Sequence, residues 1–324
     1  MALAQDVQHF VRDPHWTWYI LAYFFFAGLS GGSYLIATLF RLRGERADEP
    51  AARLGYYVSF LTLLFCPVML ILDLGQPLRF WHMMWNTTPD GAGLNFKYWS
   101  PMSVGVWALL VFGVFATVSF VEVLVRDQRL RLPLAQRAVR LLDGTAGALF
   151  IGVGALFGLF IAGYTGVLLA VSNQPVWSDT WTLGGLFLAS GLSGSAALLL
   201  FLVRYRPTAA ASTGPLVVSE RFYALLELAL IVLFALTLIP AGALDDAFGF
   251  PWTLLWLVAL AGLVPGIGGL VTARLAVPDH GGAAPAAGTV ATAVRTPLRT
   301  ALAVPGLVLL GVLALRAAII FSIQ

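Results

Sequence analysis

The chain of 324 residues contains one cysteine and four histidines. Cys66 lies in the middle of an apolar run and has no second thiol to pair with. An internal disulfide is therefore excluded, and cysteines of this chain alone can hold neither an iron–sulfur cluster nor a structural zinc ion. Any redox metal that works with the chain must come from a partner. The histidines, His9, His15, His82 and His280, fall in tails, loops or helix margins. That placement argues against a membrane-embedded di-haem cytochrome, which needs paired histidines within helices.

Charge is scarce as well: 11% of residues are charged against 59% hydrophobic, and the mean hydropathy is +0.86. No soluble domain of ordinary composition carries such a surface, so the chain reads as an all-α membrane protein. The formal net charge of +3 bears on orientation. Without a basic, aromatic-interleaved face, nucleic acid is not an expected partner; the lipid bilayer is.

Apolar runs of about 20 residues predict eight transmembrane helices. They lie near 17 to 40, 55 to 73, 102 to 125, 144 to 171, 183 to 203, 219 to 240, 252 to 272 and 301 to 321. The first follows Asp6, Arg12 and Asp13 and is too long for a signal-peptide core, so it is expected to be retained. Residues 74 to 101 form a long aromatic connection, and His280 to Gly288 form an Ala, Gly and Pro-rich linker.

With eight spans, fifteen arginines fall on one side and only Arg12, Arg79, Lys97 and Arg316 on the other. The positive-inside tendency then places both termini outside the cytoplasm, in the cell inner (cytoplasmic) membrane. All ten tryptophans fall on or near the outer side. Lipid anchoring alone populates both interfaces, so some of these indoles are expected to shape a site or a docking face. A shift of 163 residues aligns Gly28-Leu29-Ser30-Gly31 with Gly191-Leu192-Ser193-Gly194, and Arg41 and Arg43 with Arg204 and Arg206. This suggests a parallel repeat of a four-helix bundle, 1–171 and 172–324.

The stretch from Leu72 to His82, LDLGQPLRFWH, places a carboxylate at the end of a span. Charge in lipid is costly, so Asp73 should face protein or water and have a partner, for which Arg79 is the nearest cation in sequence. Asp73 to His82, Ser100-Pro101-Met102-Ser103, Tyr164-Thr165-Gly166 and Leu315-Arg316 together resemble the NrfD/PsrC family of polysulfide-reductase-type membrane subunits, over essentially the whole chain. The resemblance implies eight helices in two four-helix bundles, with quinone exchange near the extracytoplasmic face and no haem of the subunit's own. It also implies an iron–sulfur partner, usually joined to a molybdopterin or other redox catalytic subunit. The quinone could be menaquinone or ubiquinone.

A quinone needs hydrogen-bond partners for two oxygens, a nearby proton carrier and an apolar slot. His15, Asp73, His82, Tyr164 and Arg316 all fall toward the outer helix ends, with Arg79 and Trp81 alongside. An imidazole such as that of His15 or His82 can pass a proton at neutral pH, and Tyr164 can donate a hydrogen bond while its ring packs. Each also has a plainer role: Asp73 as a structural partner for an arginine, Tyr164 as a belt residue, His82 as a helix cap, His15 among headgroups. Glu227, Glu122 and Asp143 lie at graded depth from the inner side. They form either a proton relay or structural pairs with Arg126, Arg140 or Arg221. A secondary transporter and a structural anchor for a redox partner are the alternatives.

Overall fold

In a computed structural model of the chain, the described residues are 15–89, 91–275 and 298–324. His9, His280, the charged residues Asp6, Arg12 and Asp13, and the predicted linker from His280 to Gly288 lie outside them. Backbone polar groups in lipid must be satisfied within their own segment, and the apolar runs accordingly become helices. These are α1 (Trp18–Arg43), α2 (Glu49–Asp73), α3 (Pro101–Arg126), α4 (Pro133–Leu141), α5 (Thr145–Ala170), α6 (Leu183–Arg204), α7 (Thr213–Leu238), α8 (Leu244–Phe248), α9 (Trp252–Leu275) and α10 (Leu298–Phe321). Among the described residues, seven helices are long and apolar enough to cross a membrane: α1, α2, α3, α5, α6, α7 and α10. In α9 the qualifying apolar stretch is shorter, Trp252–Gly268.

Local chemistry sets several ends. Thr17 caps α1 by accepting from the Tyr19 amide, and Ser100 caps α3 by accepting from the Ser103 amide, with Pro101 in the first turn where its missing N–H is no loss. Gly44 closes α1 at φ +74°, a conformation that favours glycine. The helix containing Glu227 starts at Thr213, six residues before the predicted 219, because Pro215 is tolerated in a first turn. Glu227 therefore stands near the middle of α7, roughly 20 Å from its start and deeper than a helix beginning at 219 would place it.

Helices α1, α2, α3 and α5 pack in a ring, as do α6, α7, α9 and α10, and the rings meet where α1 and α5 touch α6. The centre is α1 with α6: 72% of each apolar window is buried, against 28% for α7. Lipid-embedded helices lack a hydrophobic drive to associate, so close approach of backbones matters. At the α1–α6 crossing a Cβ on Gly191 would lie 3.0 Å from the Gly28 Cα, and one on Gly31 would lie 2.1 Å from the Gly158 carbonyl of α5. Ser195 Oγ donates across the crossing to the Leu29 carbonyl at 3.1 Å.

Between α2 and α3, where the sequence shows only an aromatic connection, the backbone forms a 3-10 helix (Pro77–Met83) and a two-residue hairpin in which Trp85 pairs with Leu94 and Asn86 with Gly93. Asn95 fastens this cap: its side-chain amide donates to the His82 carbonyl, and its own carbonyl accepts from the Trp107 indole of α3 at 3.1 Å.

Candidate functional site

The helix ends nearest the tryptophans hold most of the predicted polar set. Asp73, the last residue of α2, is half-buried and accepts at 3.0 Å from the Thr17 hydroxyl, the residue that caps α1. Arg79 does not pair with it; Arg79 is exposed in the 3-10 helix, and none of the ion pairs among the described residues joins the two. The physical reason is local: α2 runs to Asp73 and Gly75 then turns the backbone at φ +68°, while the cap of α1 offers a donor at no cost in charge burial. Only Asp73 Oδ1 is used, leaving Oδ2 without a hydrogen bond among the described residues.

His82 sits beside this mouth with its Nδ1 3.1 Å from the Arg79 carbonyl. A carbonyl only accepts, so Nδ1 carries the proton and Nε2 is left as an acceptor in the neutral ring. Trp81 stacks on the imidazole, centroids 3.9 Å apart. His15 is exposed and stands two residues before Thr17; the intervening Trp16 packs on Trp177, whose indole donates to the Ile319 carbonyl at 2.7 Å.

Tyr164 of α5 lies in the same ring of helices. Its hydroxyl donates to the Pro101 carbonyl at 2.6 Å, and its ring fills the notch at Gly105, where a Cβ would come within 2.3 Å of it. The phenol is thus anchored to the start of α3. The buried Tyr23 is an electrostatic neighbour of Tyr164 on one side and of the buried Cys66 on the other.

Arg316 is not part of this mouth. It is fully buried on the other side of α1, donating to the Phe187 carbonyl of α6 at 3.0 Å and to the Val312 carbonyl at 3.2 Å, with its guanidinium over the Phe187 ring and against Gly28. A side chain this long, five residues from the end of α10, reaches inward along α6 when α6 offers it a carbonyl. There it joins Glu227 and Ser193 at mid-depth. Glu227 Oε2, Ser193 Oγ and Arg316 Nε are all buried without a hydrogen-bond partner, as is Oε1 of Glu220, two turns before Glu227 on the same face of α7. Glu220 also borders a cavity of about 160 Å³ that Arg204 and Arg221 line at the arginine-rich end.

Glu122 and Asp143 belong to neither group. Both oxygens of Glu122 are held by guanidiniums, Arg41 Nη1 at 2.5 Å and Arg126 Nε at 2.7 Å. Arg126 also reaches Asp143 at 2.8 Å, Arg41 clasps Glu49 through two nitrogens, and Arg53 bridges Glu49 to Asp127. This lattice ties the arginine-rich ends of α1, α2, α3 and α5 together; both oxygens of Glu122 are occupied, while Asp143 uses only Oδ1 and is exposed. Both contact Arg126, one of the partners the sequence offered.

The helices, their apolar exteriors and the one-sided arginines define a multi-pass all-α membrane protein. The family model described as Polysulphide reductase, NrfD matches residues 7–278, and the chain belongs to this family. A component of the polysulfide reductase of Wolinella succinogenes is 30% identical over 202 residues, 58% of each protein. Protein NrfD of Escherichia coli is 25% identical over 201 residues (59% of this chain, 60% of that one), and a component of the selenate reductase of Mesobacillus selenatarsenatis is 27% identical over 125 residues (38% and 25%). The matched stretches thus span about 60% or less of these relatives' lengths.

Proposed function

We propose that the protein is the quinone-reacting membrane subunit of a respiratory oxidoreductase complex, with α9 as an eighth span, both termini extracytoplasmic and the units 1–171 and 172–324 derived from a parallel repeat. The complex sits in the cytoplasmic membrane. Its iron–sulfur subunit docks over the aromatic cap, and a molybdopterin or other redox subunit beyond it carries the terminal chemistry. The relatives that are components of polysulfide and selenate reductases support this reading.

The observation that carries it is Asp73: a half-buried carboxylate at a helix end, with one oxygen fixed by Thr17 and the other uncommitted, beside Leu74, Phe80 and Trp81, which expose apolar surface. Such a mouth fits a ring that needs both an apolar slot and a polar contact. A bound quinol supplies two electrons and two protons on oxidation. Asp73 Oδ2 and His82 Nε2 accept protons there, Arg79 and His15 hold the polar rim, Trp81 walls the slot, and Tyr164 fixes α5 to α3 behind it. Glu220 and Glu227, replacing Glu122 and Asp143, make the inner proton path.

Asp73→Asn should reduce quinol-dependent turnover at least about 100-fold, in the range typical of a lost acid–base group, while the complex keeps its activity with an artificial electron donor. Unchanged quinol turnover would remove Asp73 from the mechanism. A second reading, a secondary transporter, draws on the mid-depth Glu227, Ser193 and Arg316 group, because transporters build their sites near the midplane. Solute uptake by vesicles containing the protein without redox partners would favour it.

A further inference from the structure

At the arginine-rich end, α3 and α5 are joined by the segment 126–143, which contains five arginines and two aspartates. Within it α4 is amphipathic in three sectors. Val139 is buried against the protein, Leu134 and Leu141 share a second face one heptad apart and are 78% and 77% exposed, and Gln136 and Arg140 occupy a third. Arg129, Arg131, Arg137 and Arg140 are exposed and make no ion pair among the described residues. A helix this short, with bare leucines beside bare arginines, is suited to lie in the plane of a membrane surface, with leucines in the acyl boundary and arginines at phosphate level.

Next to its C-terminal end opens a cavity of about 360 Å³, lined by Leu142 and Phe150, by Arg41, Arg53 and Arg126, and by the carboxylates Glu49 and Glu122 that those arginines hold. Arg53 commits Nε and Nη1 to carboxylates, and Arg126 commits Nε and Nη2. One terminal nitrogen of each has no hydrogen bond among the described residues. The cavity itself holds three arginines against two carboxylates, and the lattice together with the segment holds seven against four, so the region carries a positive excess that favours an anion. Leu142 and Phe150 make part of the lining apolar. A small free anion uses only the charge, whereas a phospholipid uses both features and continues along Leu134 and Leu141.

We propose that this cavity seats the headgroup of an anionic phospholipid, its phosphate met by Arg126 and Arg53, with the exposed Arg137 and Arg140 of the adjoining α4 adding to the attraction and an acyl chain along the leucine face of α4. The site lies at the opposite end of the helices from Asp73 and does not depend on the quinone reading. The test uses the full-length protein, purified in mild detergent, delipidated, and titrated with phosphatidylglycerol, phosphatidylcholine or inorganic phosphate while bound lipid is read by native mass spectrometry and thermal unfolding is followed. Phosphatidylglycerol should be retained and should raise the unfolding temperature; phosphatidylcholine and phosphate should do neither. Arg137→Gln/Arg140→Gln, which touches no ion pair of the lattice, should weaken phosphatidylglycerol binding roughly 30-fold, the effect of two surface arginines. Leu134→Ser/Leu141→Ser should weaken it as well, with its preference for the anionic lipid retained. Equal retention of both lipids, an unfolding shift produced by phosphate alone, or unchanged binding by the double arginine variant would each overturn the proposal.

Discussion

Asp73 shows how a residue's chemistry can be evident in sequence while its partner is not. A carboxylate where an apolar span ends must be partnered, and that expectation follows from desolvation alone. Its partner is Thr17, 56 positions away, and not the nearer Arg79. Thr17→Val should therefore weaken quinol use by raising KM, together with a loss of about 1 kcal/mol from removing the α1 cap; an unchanged KM would make the Thr17–Asp73 bond incidental to the site. Tyr164→Phe removes the hydrogen bond to the Pro101 carbonyl and should lower stability by about 1 kcal/mol. If turnover falls no further than this loosening accounts for, Tyr164 positions helices and does not touch substrate.

Among the elements, the long helices were legible because a 20-residue apolar run in lipid has few other solutions, and seven of the eight expected spans are long and apolar enough to cross. What the runs could not reveal was α4, the 3-10 helix and the hairpin, whose short polar and aromatic stretches lack a long period. The start of α7 also moved, carrying Glu227 to mid-depth. Helix contacts at glycine are the sharpest constraint at this scale. A Cβ at Gly166 would lie 2.1 Å from the Leu183 carbonyl, at the α5–α6 contact. Gly166→Ala and Gly31→Ala should each destabilise by roughly 1 to 3 kcal/mol through overpacking, seen as a lower unfolding temperature in detergent. Gly152→Ala, at an open position, is the control and should change little.

For the whole molecule, Cys66 is an asset: fully buried, it leaves a background nearly silent to thiol reagents. Cysteines placed at Trp99 or Gln324 should react in intact cells with a membrane-impermeant maleimide once the outer permeability barrier is breached, and one at Arg137 only after the cytoplasmic membrane is opened. The reverse pattern would invert the proposed orientation and move the Asp73 mouth to the cytoplasm.

Composition and order along the chain were enough to determine that this is a helical membrane protein, with arginines sorted to one end, tryptophans to the other, and no cysteine set able to hold a metal. They follow from solvation, which each segment meets separately. Which polar groups meet was decided only by the tertiary structure: Thr17 with Asp73, Arg316 with Phe187 near Glu227, Glu122 with two arginines. Those pairings depend on how each helix is rotated about its axis, and that rotation is set by small residues such as Gly28, Gly31 and Gly191 on neighbouring helices, a property of the packed assembly that no single segment encodes.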